Sequence, residues 1–393
     1  REDFSEADRE QRQRYVAKNY NLAQREICEG RKFTTTYFDK LVDISYLFLP
    51  EEAIKIKLAD TLARWDDITK IIKSFEHQDK NLVSASSLDK FTLPEDYWGS
   101  KPKIAVIYAI GGTSLDDGIK ARTLVKYLEA AINGSNVKAI VLRVDSPGGD
   151  ALASDYIAEV LRKNKGKKPV IVSQGYVAAS GGYWLSMFAD TIVAAPNTIT
   201  GSIGVIGAFA YNKTFKQDVG LSTDFVKKGK FADLGFGATI PIVGIMLPDR
   251  DFTDKELKTS EVGIKTLYKG FVEKVALGRK KSFDEIEKIA QGRIWAGSDG
   301  LKNGLVDVLG GLSDAIKIAE QKSGLFNKDY EIVEMPERDW FDFNSLMPSF
   351  FKIEEKITAD PFIQDLKFRL DYNGIPMPML PIEFIDENMI YEE

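Results

Sequence analysis

Between residues 103 and 196, four apolar runs (KIAVIYAI, KAIVLRVD, PVIVS and TIVAAP) alternate with segments of helical periodicity. That alternation leaves few folds open. A short run that stays apolar suits a strand buried on both faces. Strands separated by helices pair in parallel through right-handed crossovers. ARTLVKYLEAAI puts Leu124, Tyr127, Leu128 and Ile132 on one side, and ALASDYIAEVLRKN turns Ile157, Val160 and Leu161 inward. Residues 252–277 read as an amphipathic helix through Leu257, Ile264, Leu267, Phe271 and Val275. The expected class is α/β with a largely parallel sheet.

A second constraint is an internal repeat. Asp3-Phe4-Ser5 resembles Asp251-Phe252-Thr253, Val16 matches Ile264, and Tyr20 matches Tyr268. Gly30-Arg31-Lys32 matches Gly278-Arg279-Lys280, and Lys40 matches Lys288, all at an offset of 248. Leu58-Ala59-Asp60 then matches Leu305-Val306-Asp307, and Asp67 matches Asp314, at 247. Single matches are weak; the constant offset carries the inference. The second copy follows an αβ region over about 103–250, whereas the first has none before it. Residues 1–75 therefore read as the helical tail of an earlier domain whose body is not in this chain. Residues 76–100 read as a polar linker with one short strand. The stretch 326–393 mixes aromatics, prolines and acids, and is expected to pack on the body rather than to form a membrane foot.

Composition removes several functions. With net charge −6 and pI near 5.3, nucleic-acid binding is a poor first guess, because a phosphate backbone wants a basic face. One cysteine, Cys28, forms neither an internal disulfide nor a cysteine metal cluster. No run approaches the roughly 20 apolar residues that span a bilayer. The single histidine, His77, lies in the polar stretch EHQDKN and reads as a solvated linker residue.

Three glycine-rich turns hold candidate chemistry. Ser180, in VAASGGYW, precedes helical spacing at Trp184, Leu185 and Phe188. It can be a nucleophile beside unpaired N–H groups or a plain N-cap, and on this segment alone the N-cap reading has the edge. Asp145-Ser146-Pro147-Gly148-Gly149-Asp150 ends a strand at the sheet edge where sites form. It can be an oxyanion turn or a tight turn with a helix cap. Ser202, in TGSIG, can serve a site or bond to its own backbone. With His77 remote in sequence, a nucleophilic serine here would need a lysine base of depressed pKa; otherwise there is no catalysis here.

VLRVDSPGGDALASDYIAEVLR, AASGGYWLSMFADTIVAAPNTITGSIGVIG and QGRIWAGSDGLKNGLVDVLGGLSDAI together resemble signal peptide peptidase A (protease IV), peptidase family S49. The resemblance runs over about residues 100–325 and more weakly through 1–75, and looks like the long, duplicated form. It implies a crotonase/ClpP-like ββα superhelix domain at 101–325, preceded by the helical part of a first repeat. It implies that Ser180 is the nucleophile, that Ser202 orients the base lysine, and that Gly148 and Gly149, with Gly181 as a further candidate, supply oxyanion N–H groups. It implies a serine–lysine endopeptidase that degrades cleaved signal peptides and other short apolar peptides without a cofactor or metal. Family members form homo-oligomers, anchored to the inner membrane with the catalytic domain on the periplasmic side, so the anchor is expected upstream of this chain. One departure stands out: the short-form base lysine aligns with Ala232. In the long form the base comes from the first repeat, at a position about sixteen residues before Arg1. The base is thus expected outside this chain, with Lys227, Lys228 and Lys230 out of register. The rival readings are an acyl-CoA-binding crotonase-type enzyme, and a catalytically incomplete scaffold.

Overall fold

The computed structural model describes residues 5–44, 48, 50–62, 68–78, 100–212, 231, 233–240 and 245–335. The chain divides into two compact units, Arg1–Lys101 and Pro102–Glu393. In the first, the described residues form α1 (Glu6–Arg31), α2 (Thr35–Ile44), α3 (Pro50–Lys55) and α4 (Ile68–Glu76). His77 follows α4, exposed and with positive φ, its N–H bonded to the Lys73 carbonyl. Most of the expected linker and its short strand lie outside the described residues.

The second unit is the α/β domain that the alternation predicts. In chain order it runs β1 (Lys103–Ile110), α5 (Ala121–Asn133), β2 (Val137–Ser146), α6 (Ala151–Lys163), β3 (Val170–Ala179), α7 (Gly181–Ser186), β4 (Thr191–Ala194) and β5 (Ile199–Gly201). It continues with β6 (Gly237–Ile240), β7 (Ile245–Pro248), α8 (Asp254–Arg279), α9 (Phe283–Glu287), β8 (Ile294–Ala296), α10 (Gly297–Asn303), β9 (Val308–Leu309), α11 (Leu312–Lys322) and β10 (Glu331–Met335). The main sheet has strand order β10-β1-β2-β3-β4-β9, and every pair along it is parallel. Near its end β3 leaves β4 and pairs with β5, which pairs antiparallel with β8. β10 falls inside the expected C-terminal extension yet forms an edge of this sheet; the extension beyond 335 lies outside the described residues.

Strand alternation explains the two cores. Ala105, Ile107, Ile140, Leu142 and Val144 face a layer built from Leu124, Leu128, Ile157, Leu161, Trp184 and Phe271. Their neighbours Ile104, Val106, Ala139, Val141 and Ile171 face Ala315 and Ala319 of α11. Both faces are covered, so the strands read as continuous apolar runs. The stripe of α8 is only partly core. Phe271 and Val275 are buried, but Leu257, expected inward, is exposed, because the inward-facing residues at that end are polar: Glu256 is buried there instead.

Glu256 owes its burial to charge. The Arg250 guanidinium bonds both Glu256 (2.8 and 2.9 Å) and Asp233 (2.9 and 3.1 Å). Thr253 and Glu256 also form a capping box at the start of α8. The bond from Arg250, followed by those from Thr253, holds the Glu256 carboxyl down to about 2, against 4.5 for the free side chain. A depressed carboxylate stabilises the fold fully above its unfolded pKa and stops doing so as pH falls through its folded one. The Glu256 contribution is therefore complete above pH 4.5 and disappears towards pH 2. Arg250→Gln is expected to move the acid-unfolding midpoint to higher pH, read by circular dichroism.

The repeat-related helices share their contacts. α1 and α8 each have 26 residues, with both ends displaced by the repeat offset. Tyr20 Oη donates to Asp39, and Tyr268 Oη donates to Glu287, the matching position. Arg31 pairs with Asp60 at 2.6 Å, and Arg279 pairs with Asp307 at 2.5 Å. The second Arg–Asp pair is the more deeply built. Arg279 Nε also donates to the Gly304 carbonyl, and Asp307 accepts from the Ile192 N–H. Tyr183 Oη donates to the neighbouring Leu305 carbonyl, so α7 is tied to the same corner of the fold.

Candidate active site

The carboxyl ends of β2, β3 and β5 meet at one edge. Ala179 is in register with Gly201, and the Ser180 N–H donates to the Gly201 carbonyl at 2.8 Å. Ser180 and Ser202 are therefore the next residues off two neighbouring parallel strands. Both have positive φ, 55° and 49°, which side chains other than glycine rarely adopt. Ser180 also has ψ of −114°, outside the left-handed helical well. Such a backbone costs roughly 1–3 kcal/mol and survives only where its surroundings enforce it. A strained serine between a strand and a helix is also how a nucleophile elbow presents its hydroxyl.

The geometry discriminates between the two readings of Ser180. It occupies the N-cap position of α7, but its side chain caps nothing. Among the described residues, its hydroxyl makes only a long, 3.5 Å contact to the Gly204 carbonyl. Cap residues use β-region backbone and a side-chain bond to the helix, and Ser180 has neither.

Opposite Ser180 lies the glycine turn after β2. Gly148 and Gly149 have φ of 106° and 148°. The turn is pinned to the segment after β1: the Thr113 N–H donates to the Gly148 carbonyl, and the Asp150 N–H donates to the Thr113 carbonyl. It also lies hard against Gly181. A Cβ on Gly181 would stand 2.9 Å from Gly148 Cα and 3.1 Å from the Gly149 nitrogen. One on Gly182 would stand 2.4 Å from the Ser146 carbonyl oxygen. The glycines of ASGG are thus required by contact between two backbones.

The turn's two N–H groups differ. That of Gly148 donates to Ser146 Oγ at 3.2 Å, while among the described residues that of Gly149 donates to no protein group. Gly181, at the first position of α7, likewise has no backbone acceptor there. The structure therefore brings Ser180, Ser202, Gly149 and Gly181 together, with hydrogen-bonding capacity left open among the described residues, and leaves Gly148 beside them already engaged.

No lysine bonds Ser180 or Ser202 among the described residues. Ala232, Lys227, Lys228 and Lys230 lie outside the described residues. From the sequence, Asp145 was legible only as the first residue of the glycine turn. Its carboxylate accepts from the N–H groups of Tyr176 (3.1 Å) and Val177 (3.0 Å), just before the serine turn. The signal was an acid near the end of a mostly apolar strand.

A parallel α/β sheet that offers a strained serine beside a glycine turn has the layout of a hydrolase with a serine nucleophile. The profile of peptidase family S49 matches residues 162–325. The chain is 38% identical over 260 residues to a chloroplastic serine protease SPPA of Arabidopsis thaliana, covering 64% of this chain and 36% of that one. It is 32% identical over 315 residues to Protease 4 of Haemophilus influenzae, covering 78% and 49%. A putative protease of Methanocaldococcus jannaschii is 34% identical over 267 residues, covering 65% of this chain and 81% of its own length. The chain belongs to peptidase family S49. It spans between about a third and a half of the length of the first two relatives.

Proposed function

We propose that this chain carries the nucleophile and oxyanion groups of a serine–lysine endopeptidase. The carrying observation is Ser180: a buried, strained serine whose hydroxyl is not used in capping, beside the open N–H groups of Gly149 and Gly181. In this reading Ser180 Oγ attacks a peptide carbonyl, and its proton passes to a neutral lysine. The oxyanion is held by Gly149 and Gly181, donors of a kind whose loss typically costs about 10²–10³ in rate. The lysine then protonates the departing amine, and water releases the acyl group from Ser180. Ser202, one strand over, orients the lysine. Ala232 fills the short-form lysine position, so the base is assigned to a first repeat, of which residues 1–75 are the helical part; the matching Tyr–carboxylate and Arg–Asp contacts support that division.

The proposed substrates are cleaved signal peptides and similar apolar peptides. The proposed setting is a homo-oligomer on the periplasmic side of the inner membrane, anchored through sequence outside this chain. Family membership supports both. Among the described residues no helix is long and apolar enough to cross a membrane. The acyl-CoA reading is not favoured, since the relatives above are named as proteases.

A serine-reactive phosphonate probe tests the nucleophile. Peptide mapping of the labelled full-length protein should find the adduct on Ser180; an adduct elsewhere would sink the assignment. Ser202→Ala is expected to lower kcat by as much as about 10²–10⁴-fold, the usual contribution of a well-placed general base, with KM little changed. Steady-state kinetics on an apolar peptide would show it.

A further inference from the structure

We propose that Asp145 is a positioning residue for Ser180, acting through a bulge that it holds open in β3; this rests on the peptidase reading above. β2 and β3 run in register from Ile140↔Val170 to Val144↔Gln174. The next pair is Ser146↔Ala178. β2 thus advances two residues while β3 advances four, and the surplus is taken up at Gly175, Tyr176 and Val177. A bulge leaves backbone groups that the neighbouring strand cannot pair. Here Asp145 pairs them: one carboxylate oxygen accepts from Tyr176 N–H and the other from Val177 N–H. The Gly175 carbonyl is taken by the Thr198 hydroxyl at 2.8 Å.

The bulge decides where Ser180 sits. Beyond it, Val177, Ala178 and Ala179 pair with Ile199, Thr200 and Gly201, and this register sets Ser180 beside Ser202. It also brings Ala178 level with Ser146, and so Gly181 against the Gly148–Gly149 turn. Without the bulge, the serine would leave the sheet two positions out of step with both. Gly175 provides an independent sign that the carboxylate has a reserved place. A Cβ there would lie 2.1 Å from one carboxylate oxygen of Asp145 and 2.5 Å from its Cγ. The position is glycine because the carboxylate occupies that space.

Two substitutions disturb this device by different routes. Asp145→Asn keeps the shape but exchanges one acceptor oxygen for an NH₂ group that faces an N–H. Gly175→Ala keeps the carboxylate and pushes it out of place. The measurement is phosphonate labelling of the full-length protein over a range of probe concentrations, alongside thermal melting. Both folded variants should lose about 10²-fold in maximal labelling rate, the typical cost of misplacing a reacting group by about an ångström. The half-saturating probe concentration should hold, because the probe's binding surface is untouched. A folded Asp145→Asn protein that labels at the normal maximal rate, or that loses only probe affinity, overturns the proposal. So does failure of both variants to fold, since Asp145 would then serve the fold rather than the site. Ser180→Ala separates the two levels. Label retained there overturns the nucleophile assignment and this proposal with it. Label lost there but normal in Asp145→Asn overturns this proposal alone.

Discussion

Ser180→Ala should reduce peptide hydrolysis by the full-length protein to the residual rate that binding and oxyanion groups supply alone. In serine peptidases, loss of the nucleophile costs about 10⁶ in kcat. The fold should survive. The substitution removes one hydroxyl whose only hydrogen bond among the described residues is 3.5 Å long, and leaves the Gly201 and Trp184 backbone bonds in place. Alanine does inherit the positive φ, so little stability should be gained or lost. The decisive comparison is peptide turnover against the thermal midpoint. Normal turnover in a folded variant would remove Ser180 from the chemistry.

Arg279→Ala is expected to have the largest effect on stability. The Arg279 side chain is only 8% exposed, and it bonds Asp307 twice and the Gly304 carbonyl once. Removing one partner of a buried pair strands the other, at a typical cost of 3–5 kcal/mol. Asp307 is 35% exposed, so water reaches it once Arg279 is gone, and the expected loss lies below that range, about 2 kcal/mol. Its repeat counterpart differs: Asp60 is 71% exposed, and Arg31→Ala should cost at most about 1 kcal/mol. Denaturant unfolding of the two variants measures the contrast; equal losses would contradict it.

Much of this fold was legible because parallel strands covered on both faces need unbroken apolar runs. The four runs became β1 to β4, and the helices between them buried the residues their spacing predicted, Tyr127 only in part. The short strands β5 and β8 were not legible, because three residues carry no periodicity and their pairing joins positions nearly a hundred residues apart. Leu257 misled because hydrophobic spacing cannot register a buried Glu256 held by Arg250. The serine turn was half legible. Glycine and small residues marked it, but separating a cap from a strained serine takes backbone angles. Which glycine N–H stays open was not legible at all, since it depends on the Ser146 hydroxyl. The role of Asp145 was not legible for a similar reason: its partners lie 31 and 32 residues further on.

The recurring Tyr–carboxylate and Arg–Asp contacts have a wider consequence. On the proposal that residues 1–75 are the helical part of a first repeat, either copy can shed a reacting group as long as its twin retains one. Neither copy can shed the struts by which its own helices are braced. Mutational drift should then erase chemistry sooner than bracing. On that proposal, kinship between the two copies is better sought at Tyr20, Arg31 and Asp60 than at the serine.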